Sequence, residues 1–291
     1  MILPEKGDPV IVQGITGKYG SLHAGLMKQY GTNVAAGVTP GKAGETVVGV
    51  KVYDGVADAV RATGARSSVI FVPAPRFLAA AEEALNAGIK LVVAITEHVP
   101  IRDELQVVEL ARSLGATVIG PNTPGVILPS KLLKLGIMPV TSFRPGRIAL
   151  FSRSGTLMYE IAHQLSTSGF GQAIALGIGG DPINGSTMVE WFEWARARDD
   201  VSAVVAVGEI GGDSEERLAQ YITETRFPKP VFAYVAGRAA PREKRMGHAG
   251  AIIYGNYGTA ESKIAAFRSA GVKVAMTPTE IPALLSANLR K

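Results

Sequence analysis

Along the whole chain, short runs rich in β-branched and aliphatic residues alternate with helical patterns of about ten to fifteen residues. This alternation is the mark of parallel βαβ units, and it constrains the fold more than any other feature. In the first half strands are expected at Val10–Gln13, Val34–Ala36, Ser68–Val72, Leu91–Ile95 and Thr117–Ile119, with helices at Gly20–Tyr30, Gly55–Ala62, Arg76–Asn86 and Ile101–Leu114. The rhythm lapses over a proline-containing stretch, read as a linker region at 126–146, and then resumes. The second series has strands at Arg147–Phe151, Ala173–Leu176, Ala203–Val207, Val231–Val235 and Val272–Ala275. Its helices are expected at Thr156–Thr167, Thr187–Ala197, Ser214–Thr225, Thr259–Ala270 and Glu280–Leu289. The fold class is therefore α/β, with two consecutive open parallel-sheet domains at 1–125 and 147–291, the expected number for 291 residues.

Composition narrows the functional classes. The chain has no cysteine, which excludes a disulfide framework and a thiolate metal site. Its formal charge of +5 is spread without the basic stripe of a nucleic-acid binder, so a small anionic ligand suits it better. Met1 to Gly7 carries no signal-peptide pattern and no apolar run approaches a membrane span, so a cytoplasmic chain with no membrane or nucleic-acid partner and no bound metal is expected.

In open α/β sheets, ligands sit outside the carboxyl ends of the strands. Gly14, Gly17 and Gly20 follow the first strand and open a helix, where free N–H groups and the helix dipole favour a phosphate. The spacing is not the G-x-G-x-x-G of dinucleotide sites, and Val34-Ala35-Ala36-Gly37 stands where their ribose-binding acid belongs. A Walker A loop is absent too, since Tyr19 follows Gly17-Lys18. Lys42, in the turn after the second strand, suits a ligand with extra phosphate such as coenzyme A; a solvated turn lysine is the alternative.

The second half carries groups suited to phosphoryl transfer. His248 lies in Gly247-His248-Ala249-Gly250-Ala251, after the basic run Pro241 to Arg245, and its small neighbours leave room for a phosphoryl group. Glu209, bracketed by Gly208 and Gly211-Gly212, is placed to accept the proton of one imidazole nitrogen and so fix the tautomer. Ser154 and Gly155 open a helix that can hold phosphate, although an ordinary N-cap would look the same. Asp213, Glu215 and Glu216 read as first-turn acids serving the helix dipole and nothing more, and Trp191 and Trp194 as packing. His163 falls within a helix, His23 near the start of one, and His98 follows a strand on a ligand edge without a recognisable partner, so all three rank below His248.

In this order the motifs resemble the α subunits of the succinyl-CoA synthetase family. The first half supplies Gln13-Gly14-Ile15-Thr16-Gly17, Gly37-Val38-Thr39-Pro40-Gly41-Lys42, Val72-Pro73-Ala74-Pro75, Ile95-Thr96-Glu97 and Gly120-Pro121-Asn122. The second supplies Ser152-Arg153-Ser154-Gly155-Thr156-Leu157, Gly177-Ile178-Gly179-Gly180-Asp181-Pro182, Gly208-Glu209-Ile210-Gly211-Gly212 and Lys244-Arg245-Met246-Gly247-His248-Ala249-Gly250. The resemblance implies a Rossmann-like CoA-binding domain and a flavodoxin-like ligase domain. It also implies a β subunit whose ATP-grasp domain carries ATP or GTP with Mg, in a heterodimer or heterotetramer. Coenzyme A would be held by Thr16, Gly17, Lys18, Tyr19, Lys42, Ile95, Thr96 and Glu97. His248 would be phosphorylated with Glu209 as its partner, Tyr159 would bind the succinate substrate, and Ser154 and Gly155 would hold phosphate. Thr123 departs from the pattern, since family members commonly have cysteine there.

Malate–CoA or citrate–CoA ligation is the alternative within the superfamily. A non-catalytic CoA-binding regulatory protein is the rival from another class, disfavoured by the intact histidine and glutamate. An NAD-linked dehydrogenase is disfavoured by the glycine spacing.

Overall fold

The computed structural model describes residues 3–241, 244, 246–255 and 257–289. The chain divides into two compact units, the first built mainly from residues 1–127 and the second mainly from 139–182 and 187–291.

The first unit contains β1 (Val10–Gln13), α1 (Lys18–Tyr30), β2 (Val34–Val38), β3 (Thr46–Val47), β4 (Val50–Tyr53), α2 (Val56–Thr63), β5 (Ser67–Ile70), α3 (Phe77–Asn86), β6 (Leu91–Ala94), α4 (Ile101–Ser113) and β7 (Thr117–Ile119). Its strands run in the order β3-β4-β2-β1-β5-β6-β7. All pairings are parallel except β3 with β4, an antiparallel edge that the sequence pattern did not suggest. The chain order reverses between β1 and β5, which makes their carboxyl ends the switch point where a crevice opens. Ile11, Ile70, Phe77, Val92 and Val107 pack in one core between sheet and helices.

Residues 126–146, expected to form a linker, are not structureless: β8 (Gly125–Leu128) and β9 (Leu133–Gly136) lie there, and β10 (Pro145–Ser152) begins before its end. Gly and Pro punctuate these short strands, which hides their period in the sequence.

The second unit continues with α5 (Gly155–Thr167), β11 (Gln172–Gly177), α6 (Met188–Arg196), β12 (Ala203–Glu209), α7 (Ser214–Thr225), β13 (Val231–Ala236), α8 (Ala260–Ser269), β14 (Lys273–Ala275) and α9 (Ile281–Asn288). Its strands follow in the order β14-β13-β12-β10-β11, all parallel. Every residue of β12 is buried, as a strand covered by helices on both faces requires. The Phe151 ring lies 6.2 Å from Trp191 and 5.8 Å from Phe192, all three fully buried. Burying each phenylalanine contributes about 1.5–3 kcal/mol, and Trp191 is packing, as expected. This rigid floor carries the loops at the carboxyl ends of β10, β11, β12 and β13.

Candidate active site

In the second unit β12 ends on Glu209, so the strand itself, rather than the loop beyond it, presents the carboxylate. Nδ1 of His248 lies 2.8 Å and 3.0 Å from the two Glu209 oxygens. A neutral imidazole donates Nδ1–H to this carboxylate and keeps its lone pair on Nε2. The hydrogen bond to Glu209 raises the His248 pKa above its ordinary 6.5; burial and Arg153 oppose this, while Asp181 reinforces it. Gly180 leaves space for the ring, because a Cβ there would sit 2.6 Å from two imidazole carbons.

The histidine loop is fastened by backbone bonds: Gly250 N–H donates to the Gly180 carbonyl (3.2 Å) and Ala251 N–H to that of His248 (3.1 Å). Of the basic run before it, Arg242, Glu243 and Arg245 lie outside the described residues. A cavity of about 530 Å³ is lined by Ser154, Glu209, Met246 and His248 among others. Ser154 caps α5 and accepts the Leu157 N–H at 3.4 Å. Gly155 is the first residue of α5, where amides lack an intrahelical acceptor. Tyr159, one turn further on, is not among the cavity's lining residues. It packs edge-on against Phe143 at 6.4 Å, and burial pushes its hydroxyl pKa up to about 12.

The first-turn acids of α7 correct the sequence expectation. Glu215 is fully buried, with Lys263 donating to one carboxylate oxygen and Arg153 and the Glu209 N–H approaching the other at 3.3 Å and 3.1 Å. Burial would push this carboxyl up, but Arg153 and Lys263 outweigh it and hold the group below the usual range. Glu216 also binds Lys263, at 2.9 Å. Asp213 alone behaves as a surface acid, paired with Arg217 at 2.7 Å.

In the first unit a second cavity, of about 560 Å³, opens over the β1–β5 switch point. Thr16, Gly17, Lys18 and Tyr19 line it, where the uncapped first turn of α1 offers free amides. Gly20 is required in this turn, since a Cβ would lie 2.1 Å from the Gly14 carbonyl oxygen. Lys42, Ile95, Thr96 and Glu97 are not among the lining residues. Lys42 pairs with Glu45 at 2.9 Å, Thr96 donates its hydroxyl to the Val72 carbonyl at 2.7 Å, and Glu97 is exposed. Phe71, Pro73, Pro75 and Arg76 also line the cavity; Pro73 and Pro75 belong to a motif noted in the sequence, whereas Phe71 and Arg76 were given no binding role there. Their position after a strand was the available signal. Thr123 is buried and its hydroxyl accepts the Gly125 N–H at 3.0 Å.

Among the described residues no three or more His, Asp or Glu side chains are grouped so as to hold a metal ion, and no described helix is long and apolar enough to cross a membrane. Residues 5–98 match the family model for a CoA binding domain and residues 151–273 that for CoA-ligase. The chain is 52% identical to the succinate–CoA ligase [ADP-forming] subunit alpha 2 of Archaeoglobus fulgidus, over 98% of both chains. It is 51% identical to the corresponding α subunit of Aquifex aeolicus, over 96% of this chain and 92% of that one. Among solved structures, ATP citrate lyase from Methanothrix soehngenii in complex with citrate and coenzyme A has a TM-score of 0.88 at 25% identity. That likeness covers all of this chain but 52% of the lyase chain, so the chain spans about half the lyase's length. The twofold higher identity to the ligases decides between the two, and the chain belongs to the family of succinate–CoA ligase α subunits.

Proposed function

We propose that the chain couples nucleoside triphosphate cleavage to thioester formation between succinate and coenzyme A, through a phosphohistidine at residue 248. The observation that carries this reading is the contact of Nδ1 with both Glu209 oxygens, which leaves Nε2 as the nucleophile.

Nε2 attacks the γ-phosphorus of ATP bound by a β subunit with an ATP-grasp domain, and ADP leaves with the bridging oxygen. The relatives' names, which specify ADP, support the adenine nucleotide. As the N–P bond forms, positive charge develops on the ring, and Glu209 stabilises it. A succinate carboxylate oxygen then attacks phosphorus, the N–P bond breaks, and succinyl phosphate forms. The thiolate of CoA attacks the acyl carbon, and inorganic phosphate departs. Dividing the coupling in this way replaces one difficult step with three transfers. Coenzyme A is assigned to the first-unit cavity, with Thr16, Gly17, Lys18 and Tyr19 at its phosphates, and with Lys42, Ile95, Thr96 and Glu97, which do not line that cavity, as further contacts of the bound molecule. Ser154 and Gly155 hold the phosphoryl oxygens at the α5 N-terminus, and Tyr159 contributes to succinate binding.

The test is label transfer from γ-labelled ATP in the enzyme assembled with its β subunit. His248→Ala should lose acid-labile label while CoA still binds. Persistent labelling in that variant overturns the assignment. Succinate should surpass malate and citrate as acceptor in the same assembly.

A further inference from the structure

Beneath the histidine and its glutamate lies a buried ionic cluster that the transfer chemistry above does not use. Arg153 is buried and its Nη1 donates to the carbonyls of Glu209 (3.2 Å) and Gly211 (2.9 Å) and to Glu215 (3.3 Å). Its Nη2 stands 3.6 Å from the Glu209 carboxylate, which it shares with His248. Glu215 binds Arg153 and the Glu209 N–H with one oxygen and Lys263 with the other. Lys263, fully buried on α8, also donates to the Gly212 carbonyl at 2.9 Å. Gly208 admits Glu215 here, since a Cβ would lie 2.6 Å from its Cγ.

Two cations, Arg153 and Lys263, face three carboxylates, Glu209, Glu215 and Glu216. The uncompensated negative charge is met at the Nδ1–H of His248. Without Glu215, Arg153 would turn wholly to Glu209 and compete with the imidazole for it.

We propose that Glu215, anchored by Lys263, is a positioning residue: by holding the Glu209 amide and the Arg153 guanidinium together, it keeps the Glu209 carboxylate turned to Nδ1 of His248. It thereby fixes which imidazole nitrogen takes the phosphoryl group. The inference rests on the phosphohistidine reading, and its test separates the two.

The experiment uses the enzyme assembled with its β subunit and compares Glu215→Gln with Arg153→Gln. One readout is the titration of the His248 ring by NMR, assigned by difference from His248→Ala. The other is single-turnover labelling. The charged groups acting on the ring are Glu209, Arg153 and Asp181, so the two substitutions push its midpoint in opposite directions. Glu215→Gln should lower the midpoint and slow labelling about ten- to a hundredfold, the loss expected of a misplaced reacting group, with CoA affinity unchanged. Arg153→Gln should raise the midpoint. Two midpoints that stay at the wild-type value, or move in the same direction, overturn the proposal. If either variant fails to fold, Glu215→Asp decides, since its shorter side chain cannot hold the Glu209 amide and Arg153 at once: a lowered midpoint and slowed labelling with intact CoA binding support the role, and wild-type values remove it. Absence of label in the wild-type enzyme would defeat the phosphohistidine reading instead, while the ring titration still decides the positioning claim.

Discussion

In the proposed mechanism the imidazole of His248 works with one nitrogen, because the other is bonded to Glu209. The hydrogen bond that commits it also raises the pKa above 6.5, with burial and Arg153 opposing. The protonated ring has no lone pair, so the shift determines when the nucleophile exists. As pH rises through the elevated pKa, the ring loses its second proton from Nε2 and the phosphorylation rate climbs. Single-turnover labelling against pH should therefore show an inflection above 6.5 in the wild type. Glu209→Gln should move that inflection down and slow the step by about a hundredfold or more, because the orienting acceptor is lost. An inflection that stays in place would break the link between the pair and the nucleophile. The His248–Glu209 pairing was foreshadowed by the sequence, since both residues stand in glycine-rich loops after strands. Glu215 was not. Adjacent helix positions diverge by about 100°, so of Glu215 and Glu216 one side chain turns wholly inward while the other stays partly exposed. Two neighbouring acids in sequence do not reveal which is which. Lys263, far along the chain, supplies the answer through α8.

Helices α7 and α8 are clasped by that lysine, whose Nζ binds Glu215, Glu216 and the Gly212 carbonyl. Lys263→Met leaves the buried Glu215 with one cation and should destabilise the assembly by about 3–5 kcal/mol in denaturant unfolding. Because the folded pKa of Glu215 is depressed, its contribution is present above the unfolded value near 4.5 and fades as pH falls through the folded one. The variant's deficit should accordingly shrink in acid; a deficit independent of pH would argue for lost packing alone. At this scale the sequence was legible wherever hydrophobic period and turn residues agreed. The helix expected at Ser214–Thr225 and the strands at Val10–Gln13 and Thr117–Ile119 coincide with the observed bounds. It was illegible at β3 and β4, two and four residues long, and in the hairpin-like stretch of β8 and β9. Gly44, Gly49, Gly125 and Gly136 bracket these segments closely, so the stretches read as turns rather than strands.

Each of the two units has its own cavity at the carboxyl ends of strands. Residues of the first unit alone line one cavity, and His248 lines the other. Lys18→Ala should raise the Kd for CoA about ten- to 150-fold, the 1.5–3 kcal/mol of one charge-assisted bond, and leave the labelling rate of His248 unchanged. Calorimetry of the assembled enzyme checks the first half of that expectation and single-turnover labelling the second. A fall in both would show that the two sites do not act separately. The commitment of Nδ1 to Glu209 also reaches beyond the ring. With a single nitrogen available, the departing nucleotide and the incoming carboxylate must occupy the same apex of the phosphorus in turn. Two successive inversions then restore the original handedness, so a γ-thiophosphoryl group made chiral with two oxygen isotopes, passed to succinate labelled with the third, would leave as thiophosphate with its configuration retained.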